Sequence, residues 1–185
     1  MPSDRNRLLD MPGHLVRRLQ QISVALFIEQ ARDFDITPVQ YAALVAIDKR
    51  PGLDQTALCN VIAFDRSTIG DVVGRLERKK LIRRVSGTVD RRTKALYLTA
   101  AGRRLLRRIE PSVQSAQRLI LAPLLASQRH AFMQMLKLLV HLNNGHSRAP
   151  QRSKEALASR AAHERAPRRR AQRRLRRRTT RREGR

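Results

Sequence analysis

The chain has 185 residues, with 40 Lys and Arg against 15 Asp and Glu, a formal charge of +25 and an isoelectric point near 11.9. A surplus of this size points to a polyanionic partner, either nucleic acid or an anionic membrane surface. Aromatics at 3% without Trp argue against a stacking platform for single strands, and one cysteine excludes an intrachain disulfide or a thiolate zinc cage and suits a reducing, cytoplasmic setting.

The charge is uneven. Residues 146 to 185 hold sixteen Lys and Arg against three Asp and Glu, and the preceding 145 residues hold 24 against 12. The body is therefore basic in its own right. The 41% hydrophobic content of the whole chain is enough for a core in that body. The opening MPSDRNRLLDM has an early acid and no apolar segment, unlike a signal peptide. The longest apolar run, Leu119 to Ala126, is too short to cross a bilayer, so no membrane partner is expected.

Taken in chain order, Leu15, Leu19, Ile22 and Leu26 recur at helical spacing and predict a first helix over about Pro12 to Asp33. Thr37, Pro38 and Gln40 form a cap, a first-turn proline and a capping box for a second helix. Leu44, Val45 and Ile47 are its buried side, and Pro51-Gly52 ends it. Asp54 caps a third helix with Leu58, Val61 and Ile62 inward. Ala63-Phe64 make a turn, and Asp65 caps a fourth helix whose inner stripe is Ile69, Val72, Val73 and Leu76. Two short strands follow, Ile82 to Val85 and Lys94 to Leu98, around a polar hairpin tip at Ser86 to Thr93. Thr99 caps a fifth helix carrying Leu105, Leu106, Ile109, Val113, Ala116, Leu119 and Ile120, with a kink expected at Pro111 and a stop at Pro123. A last helix over Ser127 to Asn143 is expected to bury Phe132, Met135, Leu136 and Leu139. Beyond His146 the arginine-rich sequence holds too few apolar groups to offset the entropy of ordering, and residues 146 to 185 are expected to be a disordered cationic tail.

The order helix, turn, helix, basic hairpin is that of a winged helix-turn-helix. It would place the fourth helix in a DNA major groove and a hairpin arginine in the neighbouring minor groove. The fold class expected is mainly α with a small β-hairpin.

The segments DRSTIGDVVGRLERKKLIRR and DRRTKALYLTAAG carry a hairpin Asp-x-Arg and a following L-x-L-T-x-x-G, Leu96 to Gly102. Over residues 8 to 145 the chain resembles the MarR family of winged-helix repressors. The resemblance implies a homodimer in which residues 8–35 and 100–145 interlock with a second copy, and residues 37–98 form the DNA-binding lobe. One departure is Lys80, which stands where the family usually has glycine after the reading helix. At the N-terminus, MPGHLVRRLQQISVALF is similar to members that repress nicotinate catabolism and respond to hydroxylated pyridine carboxylates.

The DNA-contacting set is expected to be Arg66, Ser67, Thr68, Arg75, Asp90, Arg91 and Arg92. Ser67 and Thr68 lie in the first turn of the fourth helix, where side chains reach base edges, although the same residue types also start helices. Arg66 and Arg75 are open to base or phosphate contact, and phosphate is the commoner fate. Arg92 suits a narrow minor groove, Arg91 a phosphate, and Asp90 a brace for a nearby arginine. The alternative is an ordinary solvated charge cluster.

His14 and Arg18 are four apart on one helix face. Together with Arg17 and Tyr41, which the resemblance places nearby, they would bind a small aromatic carboxylate. A surface arginine and an unremarkable histidine are the competing reading. Cys59 lies among apolar neighbours and is either a small hydrophobe or an oxidant-sensing thiol. His130, His141, His146 and His163 have no carboxylate or thiol at metal spacing, so no metal and no cofactor is expected. Without a nucleophile–base grouping or a phosphate-cradling glycine loop, the chain is not expected to be an enzyme.

The function expected is a dimeric repressor of double-stranded DNA, released from an inverted-repeat operator by a small aromatic carboxylate such as 6-hydroxynicotinate. Two rivals stand beside it: sequence-nonspecific binding of DNA or RNA through the tail, and a cysteine-based oxidant sensor.

Overall fold

The computed structural model describes residues 8–86, 94–147 and 150. The described part of the body contains helices α1 (Pro12–Gln30), α2 (Pro38–Lys49), α3 (Gln55–Ile62) and α4 (Arg66–Arg78). Strands β1 (Ile82–Ser86) and β2 (Lys94–Leu98) and helices α5 (Ala100–Leu121) and α6 (Ala126–Leu142) follow. The strands pair antiparallel with Ile82 opposite Leu98 and Ser86 opposite Lys94, and Leu53 adds a bridge to Leu96 on the far side of β2. The fold is the mainly helical, hairpin-bearing one expected. The hairpin tip and the arginine-rich tail lie outside the described residues.

Caps set the element starts. The Thr37 hydroxyl accepts from the Gln40 amide at 3.3 Å while the Gln40 side chain accepts from the Thr37 amide at 3.2 Å. This reciprocal box satisfies two of the orphan donors at the start of α2. Asp54 and Asp65 cap α3 and α4 through the amides of Ala57 and Thr68. At the far end of α5, the Arg129 side chain donates to the carbonyls of Leu121, Ala122 and Leu124. A cation there meets the negative end of the helix dipole and fills acceptors that the helix leaves open.

The core joins Phe27 and Ala31 of the first segment to Leu44 and Ile47 on α2, Leu58 on α3, the α4 stripe Ile69, Val72, Val73 and Leu76, and Ile109, Val113 and Ala116 on α5. Val45, Val61 and Ile62, expected to be inward, are half-buried. The first helix is shorter than its pattern suggested. It stops at Gln30, a 3-10 turn covers Arg32–Phe34, and Asp35 takes a left-handed conformation at φ 48°. The turn brings Ile36 into the core. The fifth helix runs through Pro111 without a break.

One expectation fails within a single chain. The last helix was expected to bury Met135, Leu136 and Leu139, yet Met135 and Leu139 are both 57% exposed, Leu136 is exposed and Phe132 is only half-buried. Leu15 and Ile22 of α1 are exposed as well. Their helical periodicity is real, but among the described residues no surface covers them.

The end of α4 explains the position of Lys80. The Leu81 amide donates to the Leu76 carbonyl at 3.0 Å and the Lys80 amide to the Glu77 carbonyl at 2.8 Å. Lys80 carries φ 56°. This is the double-bonded helix ending that requires a left-handed residue, and Leu81 packs back beside Leu76. A lysine tolerates that conformation at a cost of roughly 1 kcal/mol. Lys80→Gly is therefore expected to raise stability by about 0.5–1 kcal/mol, read as a higher urea midpoint with an unchanged slope.

Candidate nucleic-acid interface

The α4 helix has a buried face and an open one. With 100° per residue, Ser67, Asp71, Gly74, Arg75 and Arg78 fall opposite Ile69, Val73 and Leu76. Ser67, Asp71, Arg75 and Arg78 are exposed, as is Arg66 at the first helical position. The open face thus carries small groups, the cations Arg75 and Arg78 and one carboxylate, Asp71, on a helix pinned by four core side chains. A rod held this way can enter a groove without losing its own fold.

Asp65 organises the entry end. Its Oδ1 accepts from the Thr68 amide at 2.8 Å and from the Ser67 hydroxyl at 2.7 Å. These bonds favour the charged carboxylate and hold its pKa down, to about 2, with the Thr68 amide contributing most. Ser67 therefore takes part in starting the helix while remaining exposed. Because the folded-state pKa lies below the unfolded value, this stabilisation is present above about pH 4 and fades as pH falls toward 2. Asp65→Asn is expected to flatten the loss of stability over that acid window, measured by urea unfolding at stepped pH.

Gly70 and Gly74 were not singled out in the sequence. A Cβ built on Gly74 would meet nothing within 4 Å, so packing does not require a glycine there. A mid-helix glycine costs about 1 kcal/mol relative to alanine. The signal available in the sequence was a glycine on the polar face of an otherwise regular amphipathic helix.

Beside α4, Arg84 on β1 lies 2.9 Å from the Glu77 carboxylate, tying the sheet to the helix. Lys79 pairs with Asp35 at 2.7 Å and also donates to the Asp35 carbonyl, fastening the same helix end to the turn before α2. Asp90, Arg91 and Arg92 lie outside the described residues.

The four residues expected to hold an effector do not come together within one chain. His14 is half-buried and Arg17 and Arg18 are exposed at the start of α1. Tyr41 packs its ring against Phe27, with centroids 5.9 Å apart. Phe27 is thirteen residues along α1 from His14, roughly 20 Å of helix. Sequence reasoning also missed the partner of Tyr41. Its hydroxyl donates to Glu110 at 2.8 Å. Burial first, and then that bond, raise the Tyr41 pKa to about 12.

Cys59 is 6% exposed and its pKa is raised, chiefly by burial. A sensing thiol needs the opposite shift and access, so Cys59 is a core residue. Among the described residues no group of three His, Cys, Asp or Glu is placed to hold a metal, and no helix is long and apolar enough to cross a membrane.

A family model for the MarR family matches residues 34–93, which run from the turn before α2 to the residue before β2. The putative transcriptional regulatory protein for the hcr operon of Thauera aromatica is 36% identical over 133 residues, spanning 70% of this chain and 80% of that one. The chain belongs to the MarR family. Among solved structures, the PcaV transcriptional regulator of Streptomyces coelicolor, in complex with its natural ligand, is 36% identical with a TM-score of 0.67. That match covers 72% of this chain and 94% of PcaV. BpsR of Bordetella bronchiseptica, whose DNA binding is regulated by 6-hydroxynicotinic acid, is 28% identical with a TM-score of 0.65, covering 69% of this chain and 96% of BpsR. As a MarR member the chain is a winged-helix, DNA-binding transcriptional regulator. In it the L-x-L-T-x-x-G motif is a structural joint. The Thr99 hydroxyl donates to the carbonyls of Lys80 and Leu81 and accepts from the Gly102 amide, so one side chain links the end of α4 to the start of α5.

Proposed function

We propose that the protein is a homodimeric repressor that binds an inverted-repeat operator and releases it on binding a small aromatic carboxylate. The observation that carries the DNA half is the open face of α4, in which cations and small groups sit on a helix fixed by its core and joined to a basic hairpin. In this reading α4 enters the major groove. Ser67 and Thr68 approach base edges, Arg66 and Arg75 take phosphate or base, Arg91 a phosphate, Arg92 the minor groove, and Asp90 braces an arginine. Gly74 thins the helix so that its axis can lie closer to the groove floor.

Support for the dimer is the apolar surface left open on α1, α5 and α6, from Leu15 and Ile22 to Leu119, Leu139 and Leu142. A patch this continuous is rare on a chain that works alone. Support for the effector is the response of BpsR to 6-hydroxynicotinic acid, together with His14, Arg17 and Arg18 on exposed turns of α1, where a second copy would complete a pocket toward Tyr41. Arginine offers a two-pronged fit to a carboxylate. Such an effector must prefer one spacing of the two reading heads, since equal affinity for both shifts nothing.

Fluorescence anisotropy on operator and scrambled duplexes, with and without 6-hydroxynicotinate, tests both halves. The operator should bind at least about a thousandfold more tightly than the scrambled duplex, and the acid should release it. Arg18→Ala should remove the response to the acid and leave operator affinity intact. Equal binding to both duplexes would overturn the repressor reading, and a chain cut at Gly145 that keeps the operator preference would dismiss the tail-driven alternative. Gly74→Ala gives a prediction of mixed sign: stability up by about 1 kcal/mol, operator affinity down, because the added methyl stands between helix and groove.

A further inference from the structure

The sheet has a second face that the DNA-reading machinery does not use. Ile82, Leu96 and Leu98 point to the core, and Arg84 points to Glu77 of α4. Arg83 and its cross-strand partner Tyr97 point the other way. There they line a cleft of about 370 Å³ with Asp48, Pro51 and Arg103, floored by the end of α2 and the start of α5.

Its cations are held in place without being neutralised. The Arg83 guanidinium stacks over the Tyr97 ring at 4.9 Å. Tyr97 in turn leans on Gly52, where a Cβ would come within 3.1 Å of its hydroxyl. One Arg103 nitrogen donates to the Leu98 carbonyl at 3.3 Å. Each guanidinium has five N–H donors, so most remain free. Arg107 lies one turn further along the same side of α5, and exposed Lys49 and Arg50 end α2 beside the cleft. The ion pairs seen among the described residues are Arg32–Asp33, Lys79–Asp35 and Arg84–Glu77. None involves this group, and Asp48 is the one carboxylate in the cleft lining. Such a cluster repels itself, and a polyanion relieves that repulsion.

We propose that Arg83, Arg103 and Arg107 form a second phosphate-binding surface that engages the backbone of duplex DNA beyond the stretch read by α4. Charge complementarity selects this partner: these arginines lie across the wing sheet from α4, take part in none of the ion pairs among the described residues, and belong to a chain whose family binds DNA. Arginine in a fixed fork matches phosphate oxygens two at a time. The inference rests on operator binding through α4.

The test compares an operator duplex cut to the inverted repeat with one extended by about a helical turn at each end, using the full chain and anisotropy over a salt series. Wild type should bind the long duplex about tenfold more tightly, with a salt slope steeper by about 0.9 for each added phosphate contact. The triple variant R83Q/R103Q/R107Q should lose that gain and that extra slope while binding the short duplex as before. Its melting temperature controls for folding. Arg107→Gln alone, which removes no described contact, should give part of the same loss. If the triple variant keeps the gain, or weakens both duplexes equally, the second surface does not exist. Thermal stabilisation by inorganic phosphate that the variant abolishes, without any dependence on duplex length, would assign the cleft to a free phosphate ester and overturn the duplex assignment. Wild type that fails to prefer operator over scrambled duplex would instead sink the underlying repressor reading.

Discussion

Replacing Leu139 with aspartate will convert the protein to monomers and weaken operator binding by about a hundredfold or more. Leu139 stands 57% exposed in the last turn of α6, in a run in which Met135, Leu138, Val140 and Leu142 are also more than half open. A helix that is apolar on several sides needs a covering surface. A carboxylate there would have to be desolvated within the interface, at a cost of several kcal/mol. Losing the dimer converts two linked half-site contacts into two independent ones, and the linkage alone is worth about 10² to 10⁴ in affinity. Light scattering would show the change of mass and anisotropy the loss of affinity. A variant that remains dimeric with full operator affinity would move the interface elsewhere.

Gly102→Ala will destabilise the body by about 3 kcal/mol, lowering its melting temperature by roughly 10 °C. The new Cβ would lie 2.2 Å from the Leu81 carbonyl oxygen and 3.3 Å from a Leu98 methyl. The carbonyl is not free to move aside. It already accepts from the Thr99 amide and hydroxyl, and Leu81 sits in the ending that closes α4. Relief would need α5 to shift away from α4, which opens the core around Leu76 and Leu98. Differential scanning calorimetry measures the loss directly. A melting temperature within a degree or two of wild type would mean that this joint is far softer than its contacts imply.

The caps were legible because their chemistry is local. Thr37, Asp54, Asp65 and Thr99 each serve amides within three residues, and each sits where the pattern put it. The inner stripe of α4 was legible because four apolar positions recur at one helical period. The burial of α6 was misread because periodicity says that a face will be covered without saying by what. The end of α1 was misread because Asp35 is polar and takes its left-handed turn for the sake of Ile36, a tertiary requirement. At the candidate site, the cations of α4 were found from charge and order. The Tyr41–Glu110 bond spans 69 positions, and the pairing of Arg83 with Tyr97 depends on strand register; neither leaves a trace in local spacing. Gly74 was visible but unremarked, since a glycine in a helix has no chemistry of its own to notice.

The Thr99 joint has a mechanical consequence. It welds the reading rod to the base of a 22-residue shaft about 33 Å long. Pivoting that shaft by about 5° at its distal end swings the welded end by on the order of 3 Å, as much as a whole hydrogen-bond length. A molecule wedged far from the duplex would thus need little leverage to pull every base contact out of reach at once, provided the weld itself does not flex.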